Sequence, residues 1–369
     1  PDRYRIPCRW SAAVEEQAGT LAEESLARAV NDPGRTDLTG LQVFSIDEPF
    51  TRDVDDALSV EFHDEYTLLG VHIADVSYYV TPGSLTDKEA YQRGTSIYMV
   101  DRVVPMLPEK LSNMVCSLRP NEDKLCFSAV FELDDNAKIL KEWFGKTIIN
   151  SNRRFNYEEA QKIIETEKGD MAKEILILWS LASKLKDARF SKGAISFHTQ
   201  EVKFILDENS KPIEVLIKEQ KESNFLIEEF MLLANRRVAE RVGRKRGNIE
   251  PKTFVYRVHD QPSPEKLNQF IQFVGKLGYK MRINSERSLA KSFNDLFEKV
   301  HGKGEENLVE TLAVRTMAKA EYSTTNIGHY GLAFQYYTHF TSPIRRYPDL
   351  MVHRLLQRYL DKKNSVNKD

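Results

Sequence analysis

The chain has 369 residues, 41% of them hydrophobic, which is enough to bury a large core in one big domain or two ordinary ones. The formal net charge is −2, so the field of the whole molecule does not attract nucleic acid, and any such binding needs a local basic surface. No apolar run approaches the roughly 20 residues of a membrane-spanning helix, and no signal-peptide pattern is present. We therefore expect no membrane association.

The three cysteines are Cys8, Cys116 and Cys126. They have no CxxC spacing and are odd in number, which argues against both a zinc site and a disulfide framework. We expect a protein of the reducing cytoplasm.

Residues 11–30 have apolar side chains at helical spacing and are followed by Asn31-Asp32-Pro33-Gly34, a sequence that ends helices. We interpret residues 1–40 as a helical lead-in and residues 41–369 as the main domain. Because the first residue is proline, we expect a fragment of a longer protein.

Four aspartates, Asp47, Asp53, Asp55 and Asp56, lie in a short turn between two apolar, strand-like runs. Like charges raise one another's pKa, so a cluster that stays ionised at neutral pH needs a compensating cation. A hard divalent metal with oxygen ligands is the simplest one. The pattern therefore predicts a magnesium site, with manganese as the alternative ion.

Two other readings of this turn are a calcium loop and a solvated acidic turn. An EF-hand loop needs glycine at its sixth position and glutamate at its twelfth, whereas counting from Asp53 these positions hold Leu58 and Asp64. A solvated turn is rarely flanked by apolar runs such as Val43-Phe44 and Ala57-Leu58. We favour the metal site and keep the solvated turn as the alternative.

Short β-rich runs from Leu41 to about Ile149, including 68–74 and 127–133, predict a sheet. A hairpin around Asp207 is predicted within 195–217. Helical spacing is found at 157–190, 223–242, 263–278 and 305–320.

A second motif, residues 338–354, contains an arginine pair in Ser342-Pro343-Ile344-Arg345-Arg346. Ser342 suits the N-cap of a helix and Pro343 its first position, although Pro348 then disturbs the first turns. Arginines beside free backbone amides are suited to bind a phosphate. The alternative is that the arginines pair with Asp349 at the surface.

Other polar and aromatic candidates are less specific. The basic stretch 236–246 closes a helix and is commonly just solvated at such a position. Tyr98 and Phe204 are candidates for stacking on unpaired bases, although most aromatics belong to a core. His339 and His353 have no partner at metal-ligand spacing, so we expect structural roles for both.

The two motifs, 46–57 and 339–347, resemble signature blocks of the ribonuclease II (RNB) family, and within it the ribonuclease R branch. Further similar blocks follow in the family's order at 73–79, 93–96, 104–108, 111–113 and 322–329. The likeness spans about residues 41 to 356 without interruption. It implies an α+β fold, with a mixed β-sheet surrounded by helices and an internal RNA channel.

The resemblance also implies an activity. The family hydrolyses single-stranded RNA processively from the 3′ end and releases nucleoside 5′-monophosphates with magnesium. By this likeness Asp47 and Asp56 hold the metal with help from Asp53. Asp55 is the carboxylate whose loss stops chemistry rather than binding.

The same likeness makes Arg345, with Arg346 beside it, the group that steadies the scissile phosphate. It implies that Tyr98 stacks on the terminal nucleotide, with Phe204 as the opposite wall and Glu229 as a further RNA-binding residue. Members of the family usually carry OB-type modules beside this domain and continue it past the arginine helix, and we recognise neither in the 369 residues, so we expect the C-terminal part to be truncated and do not infer binding, processivity or duplex unwinding from the resemblance. Two alternatives remain: an RNA-binding relative without hydrolysis, and a metal-dependent phosphodiesterase acting on DNA or small nucleotides.

Overall fold

The computed structural model describes residues 6–29, 32–196, 201–208, 211–282 and 285–367. Its strands are β1 Thr36–Asp37, β2 Val43–Asp47, β3 Asp56–Phe62, β4 Thr67–Ala74, β5 Ile97–Tyr98, β6 Val103–Val104, β7 Asp123–Leu133, β8 Ile139–Asn150, β9 Arg153–Asn156, β10 Glu201–Leu206, β11 Pro212–Lys218, β12 Tyr256–Val258 and β13 Glu321–Ser323.

The α-helices are α1 Ala12–Ala29, α2 Val76–Tyr79, α3 Leu85–Arg93, α4 Tyr157–Thr166, α5 Ala172–Ser191, α6 Glu222–Gly243, α7 Pro264–Lys276, α8 Glu286–Val300, α9 Glu306–Thr316 and α10 Tyr347–Leu360. A π-helical turn covers Lys110–Val115 and a 3₁₀ turn covers Tyr330–Leu332. Among the residues described here, no helix is both long and apolar enough to cross a membrane.

A seven-stranded sheet forms the centre, in the order β1-β8-β7-β4-β3-β2-β9. The end pairs β1–β8 and β2–β9 are parallel, whereas the inner pairs are antiparallel. The predicted α+β fold with a mixed sheet and surrounding helices is therefore confirmed. The sheet also reaches beyond the predicted region at both ends, through β1 and β9.

Alternate residues of the inner strands form the core on one face of the sheet. Leu69, Val71 and Ile73 of β4 are fully buried, and they belong to the same cluster as Phe230 of α6. Strands that bury apolar side chains in this way have a strongly specified register, since a one-residue slip would turn the apolar set to the other face. The register in turn fixes where each strand ends, and functional side chains lie at those ends.

The helical region predicted at 157–190 is two helices. Asn156 and Glu159 form a capping box at the start of α4, in which each side chain accepts from the other residue's backbone amide. The chain then turns at Glu167, in the left-handed region with φ of 57°. The sequence prediction did not include α8, although its buried Leu289, Phe293 and Phe297 follow helical spacing.

The lead-in helix α1 packs on α3, where the Gln17 side chain accepts hydrogen bonds from the backbone amide and hydroxyl of Thr86 at 2.9 and 2.7 Å. The domain boundary at residue 41 stays a prediction, although β1 lies before it and belongs to the sheet. The predicted hairpin is present as β10 and β11, and residues 209–210 of its turn lie outside the described residues.

Helices α5 and α6 are joined by a buried ion pair. The Arg189 side chain donates from Nε and Nη2 to the Glu229 carboxylate, and Glu229 is only 3% exposed. Removing one partner of a buried pair leaves the other charge without compensation, which is far more costly than losing a surface pair.

We therefore expect Glu229→Gln to lower the free energy of unfolding by about 3 kcal/mol. The measurement is urea unfolding followed by circular dichroism. Glu228→Gln is the matched control on the same helix, because this side chain also reaches Arg189 but is 40% exposed, and we expect a loss of about 1 kcal/mol or less. Equal losses in the two variants would contradict the structural role of Glu229.

Candidate active site

The predicted aspartates converge at one edge of the sheet because of strand register. Asp47 is the last residue of β2 and pairs with Asn156 of β9. Asp56 is the first residue of β3 and pairs with Ile73 of β4. The turn between β2 and β3 carries Asp53 and Asp55, so all four aspartates of the motif lie within or at the ends of one connection.

The buried side chain of Ser117 holds the backbone of this aspartate turn through hydrogen bonds. Its hydroxyl accepts a hydrogen bond from the Val54 amide at 3.0 Å and donates one to the Arg52 carbonyl at 2.8 Å. The Leu118 amide also donates to the Val54 carbonyl at 3.0 Å. Since Ser117 is fully buried, these bonds are shielded from water and fix the backbone on both sides of Asp53.

Asp55 joins the two sequence motifs. Its Oδ1 accepts a hydrogen bond from the Ile344 amide at 2.9 Å, and its Oδ2 lies 3.5 Å from Arg345 Nε. The carboxylate is only 5% exposed, and burial raises its pKa well above the ordinary value against the opposing effect of Arg345. Two segments 289 residues apart thus meet at a single buried carboxylate.

Asp47 and Asp56 form an electrostatically strained pair. Burial raises the pKa of Asp47 to about 6, partly offset by Arg154, and the charge of Asp53 adds to this shift. Burial and then the charge of Asp47 raise the pKa of Asp56 to about 7, partly offset by Arg345. The buried Oδ2 of Asp47 has no hydrogen-bond partner in the described structure. These are the properties of oxygens that a cation would satisfy.

The carboxylates of the site could hold magnesium, but they supply only part of its ligands. Within the described ranges, no three His, Cys, Asp or Glu side chains are grouped closely enough to hold an ion by themselves. Magnesium, however, usually keeps several waters and is bound by one or two carboxylates together with the phosphates of a substrate. Asp47 and Asp56 provide such a pair, and Asp53 is near enough to raise the pKa of Asp47.

The arginine motif differs from its sequence prediction. Helix α10 begins at Tyr347, with Arg346 at the N-cap, and not at Ser342. The reason is Asp349, whose Oδ1 accepts the Ser342 amide at 2.8 Å and holds residues 342–346 as a loop. Pro348 now lies in the first turn of the helix, where a missing amide proton costs nothing.

The two arginines are held differently. Arg346 donates to Asp349 from Nε at 3.0 Å and from Nη2 at 2.9 Å, so its fork is occupied by a fully buried carboxylate. Arg345 keeps 41% of its side chain exposed while its carbonyl accepts bonds from the Ser96 amide and the Thr95 hydroxyl, both at 2.9 Å. The Nη2 atom of Arg345 donates to the Ser342 hydroxyl at 2.8 Å and its Nε faces Asp55, so Arg345 is anchored through its backbone and steadied at a guanidinium group that is still partly exposed.

The candidate RNA-binding residues are found in three different settings. Tyr98 is 55% exposed, and its hydroxyl donates to Asp53 Oδ2 at 3.1 Å, so it borders the aspartate turn. Burial, followed by the charge of Asp53, raises the pKa of this phenol. Phe204 is exposed on the separate β10–β11 hairpin, and Glu229 is engaged with Arg189. The roles of all three stay predictions.

The histidines have structural surroundings. His353 is fully buried, with Nε2 2.7 Å from the Phe340 carbonyl, and burial lowers its pKa to about 3. The Nδ1 atom of His339 lies 2.7 Å from the Tyr322 hydroxyl. The structural roles expected for the two histidines stay predictions.

Sequence reasoning missed the residues that support the site. Ser117 and Asp349 carry no recognisable local pattern, because their contacts come from chain segments that the fold brings together. The side chain of Tyr157, at the start of α4, also lies near the acidic pair, since burial and then the charges of Asp56 and Asp47 raise its pKa. Its position directly after β9, the neighbour of β2, was the only available signal.

Comparison with known proteins identifies the family. The RNB domain matches residues 35–362, so the chain belongs to the RNB domain family. DIS3-like exonuclease 2 of Schizosaccharomyces pombe is 41% identical over 364 residues, which cover 89% of this chain and 38% of that protein. Ribonuclease R of Aquifex aeolicus is 39% identical over 367 residues, covering 97% and 51%.

A solved structure supports the assignment to this family. Mycoplasma genitalium RNase R in complex with ribose methylated single-stranded RNA has a TM-score of 0.88 at 30% identity, covering 96% of this chain and 55% of that one. The predicted resemblance to ribonuclease R is thereby confirmed. The chain spans about half the length of these relatives, or less.

The raised pKa values predict an unusual pH dependence of stability in the absence of metal. A carboxyl group whose pKa is raised by folding opposes folding once the unfolded group has ionised, so its effect grows as pH rises from about 4 through about 7. We expect Asp56→Asn to be more stable than the wild type by roughly 2 kcal/mol at pH 8 in EDTA, with the difference vanishing near pH 4.

Urea unfolding between pH 4 and 8 measures this difference, and Asp64→Asn, in the exposed turn after β3, is the matched control. The buried histidines, whose pKa values are lowered, make the protein more stable as pH rises. This contribution is the same in all variants, so it cancels when their free energies of unfolding are compared. A gain that does not change with pH would contradict the assignment to Asp56.

Proposed function

We propose that this chain is a metal-dependent 3′-to-5′ exoribonuclease that hydrolyses single-stranded RNA to nucleoside 5′-monophosphates. The observation that carries the proposal is the junction at Asp55, where the acidic turn meets the Ile344 amide and Arg345. It places carboxylates beside a partly exposed guanidinium group, the combination that phosphodiester hydrolysis requires. Membership of the RNB domain family supports the same reaction.

In this proposal Asp47 and Asp56 hold Mg²⁺, or Mn²⁺, with Asp53 assisting. Such an ion, when bound, polarises a phosphoryl oxygen and lowers the pKa of a coordinated water. The unpartnered Oδ2 of Asp47 and the raised pKa values of both carboxylates support these roles.

The chain's own residues provide positioning and charge. Arg345 extends an exposed guanidinium group from a backbone that Ser96 and Thr95 fix, so it is suited to bind the scissile phosphate and stabilise charge that develops on it. Asp55 orients Arg345 and the Ile344 amide, and its raised pKa suits it to hold a proton during the reaction. Arg346 acts on the reaction through the loop, because Asp349 occupies its fork.

Tyr98 would form the end of the RNA path. Its ring is exposed and its hydroxyl is tied to Asp53, so a base stacked on the ring would sit next to the acidic turn. This arrangement would set the length of the shortest product. Phe204 remains the proposed opposite wall, whereas the burial of Glu229 supports a role behind the RNA surface rather than contact with it.

Single-stranded RNA in an internal channel is the proposed substrate, and the cytoplasm is the proposed location. The solved M. genitalium relative is in complex with single-stranded RNA, which supports the proposed substrate. All three cysteines are unpaired, which supports the proposed cytoplasmic location, because disulfides persist mainly in oxidising compartments.

The alternative is an RNA-binding relative that does not hydrolyse its ligand. One observation favours it: the described residues include no complete three-ligand metal cage. The presence of all four aspartates argues for hydrolysis instead.

The deciding experiment incubates 5′-labelled unstructured RNA with the protein, with magnesium or with EDTA, and follows product lengths over time. We expect a ladder that shortens stepwise to one small end-product only when metal is present. Asp55→Asn should abolish cleavage and leave RNA affinity within about threefold, because the substitution removes a charge but keeps the acceptor for the Ile344 amide.

Binding without cleavage by the wild type would favour the non-catalytic alternative. DNA of the same sequence, cut as fast as the RNA, would indicate a different phosphodiesterase, since contacts with the 2′-hydroxyl distinguish the two polymers. Lost affinity in Asp55→Asn would make Asp55 a residue that assembles the site.

Arg345→Gln should lower turnover by about 10²–10³-fold, and Arg345→Glu by at least as much, because a charge-stabilising donor in this kind of site contributes roughly 3–4 kcal/mol. Single-turnover cleavage at saturating RNA measures the effect. Arg244→Gln is the matched control, since Arg244 is an exposed arginine that pairs with Glu240 at the far end of α6. Turnover of Arg345→Gln within threefold of the wild type would remove Arg345 from the mechanism.

A further inference from the structure

A second charged cavity, with a volume of about 420 Å³, is lined in part by the C-terminal half of α10. We call it the α10 pocket. Its basic lining residues are Arg35, Lys146, Arg354, Arg358 and Lys363, and its acidic ones are Asp32, Asp75 and Asp361. It shares no lining residue with the aspartate site, and its volume is within the range of roughly 300–1,000 Å³ that is usual for small-molecule sites.

The inner wall of the α10 pocket contains a buried arginine with an unused donor. The Arg35 side chain is 3% exposed; it donates from Nη2 to Asp75 at 2.7 Å and from Nη1 to the Thr147 carbonyl at 3.3 Å. Its Nε has no hydrogen-bond partner, and Asp32 Oδ2 is 4.0 Å away. A buried charged donor left in this way is costly unless a ligand oxygen satisfies it.

Two more unsatisfied atoms belong to the same wall. Arg354 donates from Nη2 to the Val80 carbonyl and to Asp87, but its Nε has no partner. Gln357 donates from Nε2 to Asp361 at 2.7 Å, and its buried Oε1 has no partner either. The described lining residues thus carry two unsatisfied cationic donors, the Nε atoms of Arg35 and Arg354, and one unsatisfied neutral acceptor, Gln357 Oε1. A purely anionic ligand could satisfy the donors but not the acceptor.

Two of the three carboxylates of the pocket, Asp75 and Asp361, are already neutralised. Lys146 and Arg35 both bind Asp75 and hold its pKa well below the ordinary range against the effect of burial. Lys363 lies 3.4 Å from Asp361. At the mouth, Arg358 uses Nε for the Asn364 carbonyl at 2.9 Å, and within the described residues its terminal nitrogens are uncommitted. The uncompensated charge is therefore positive.

An aromatic ring completes the lining. Tyr78, on α2, is half-buried, and the guanidinium group of Arg35 lies 4.9 Å from its ring centre. Aromatic faces of this kind stack on nucleobases irrespective of sequence.

We propose that the α10 pocket binds a nucleoside 5′-monophosphate, with the phosphate near Arg35 and Arg358 and the nucleoside against Tyr78 and Gln357 Oε1. The cavity is larger than a phosphate ion needs, and the Gln357 acceptor requires a donor, such as a ribose hydroxyl, that a phosphate dianion lacks. The site is independent of the proposed hydrolysis, although its ligand belongs to the class of the expected product.

Isothermal titration calorimetry in EDTA tests this proposal with AMP, UMP, inorganic phosphate and adenosine. We expect both nucleotides to bind more tightly than either phosphate or adenosine alone. Arg358→Gln combined with Lys363→Gln should weaken AMP binding at least about tenfold, because the charge-assisted contact of Arg358 is lost and Asp361 is left without its cation. The matched control is Arg244→Gln combined with Lys245→Gln, two exposed cations at the end of α6.

Gln357→Glu is a second variant that keeps the helix and places a negative charge in the pocket, and it should also abolish AMP binding. Thermal unfolding checks that each variant is folded. Equal AMP affinity in the pocket and control variants would place the nucleotide elsewhere and overturn the proposal, as would equal affinities for AMP and phosphate. Asp55→Asn should bind AMP normally, so a failure of the hydrolysis proposal and a failure of this one are distinguishable.

Discussion

The contact of Asp55 with Ile344 and Arg345 is the interaction on which the rest of the site depends. A carboxylate that is almost fully buried is stable as an anion only if donors replace the water it has lost. One backbone amide and one guanidinium group replace part of that water, although burial still keeps the pKa of Asp55 well above its ordinary value, and both donors come from a loop 289 residues further along the chain. Without this loop, the acidic turn would be a strained cluster of like charges.

The loop is itself fixed by buried polar residues rather than by helix formation. Asp349 accepts the Ser342 amide and both donors of the Arg346 fork, and Asn235 accepts the Phe340 amide at 2.7 Å. Ser117 plays the corresponding part for the acidic turn. Polar side chains held in this way need little rearrangement when a ligand binds, which is the condition for effective charge stabilisation in the proposed reaction.

The sequence was sufficient to predict the mixed sheet, the acidic turn and the importance of the arginine pair, because each depends on local pattern or on the family resemblance. It was insufficient for the start of α10. Ser342 and Pro343 are a valid local helix start, but Asp349 takes the Ser342 amide and delays the helix to Tyr347. The difference between the two arginines was equally hidden, since only tertiary contacts show that a buried carboxylate occupies the fork of Arg346 whereas Arg345 stays partly exposed.

The same distinction between occupied and open cations explains how a chain of net charge −2 can present basic sites. Much of the basic stretch at the end of α6 is neutralised, since Arg237 binds Glu142 and Glu240, and Lys245 binds Glu250. Arg345 and Arg358, near opposite ends of α10 and its preceding loop, keep guanidinium nitrogens available. Net charge therefore says little about anion binding here, because what matters is which cations keep donor nitrogens that contacts within the fold do not use.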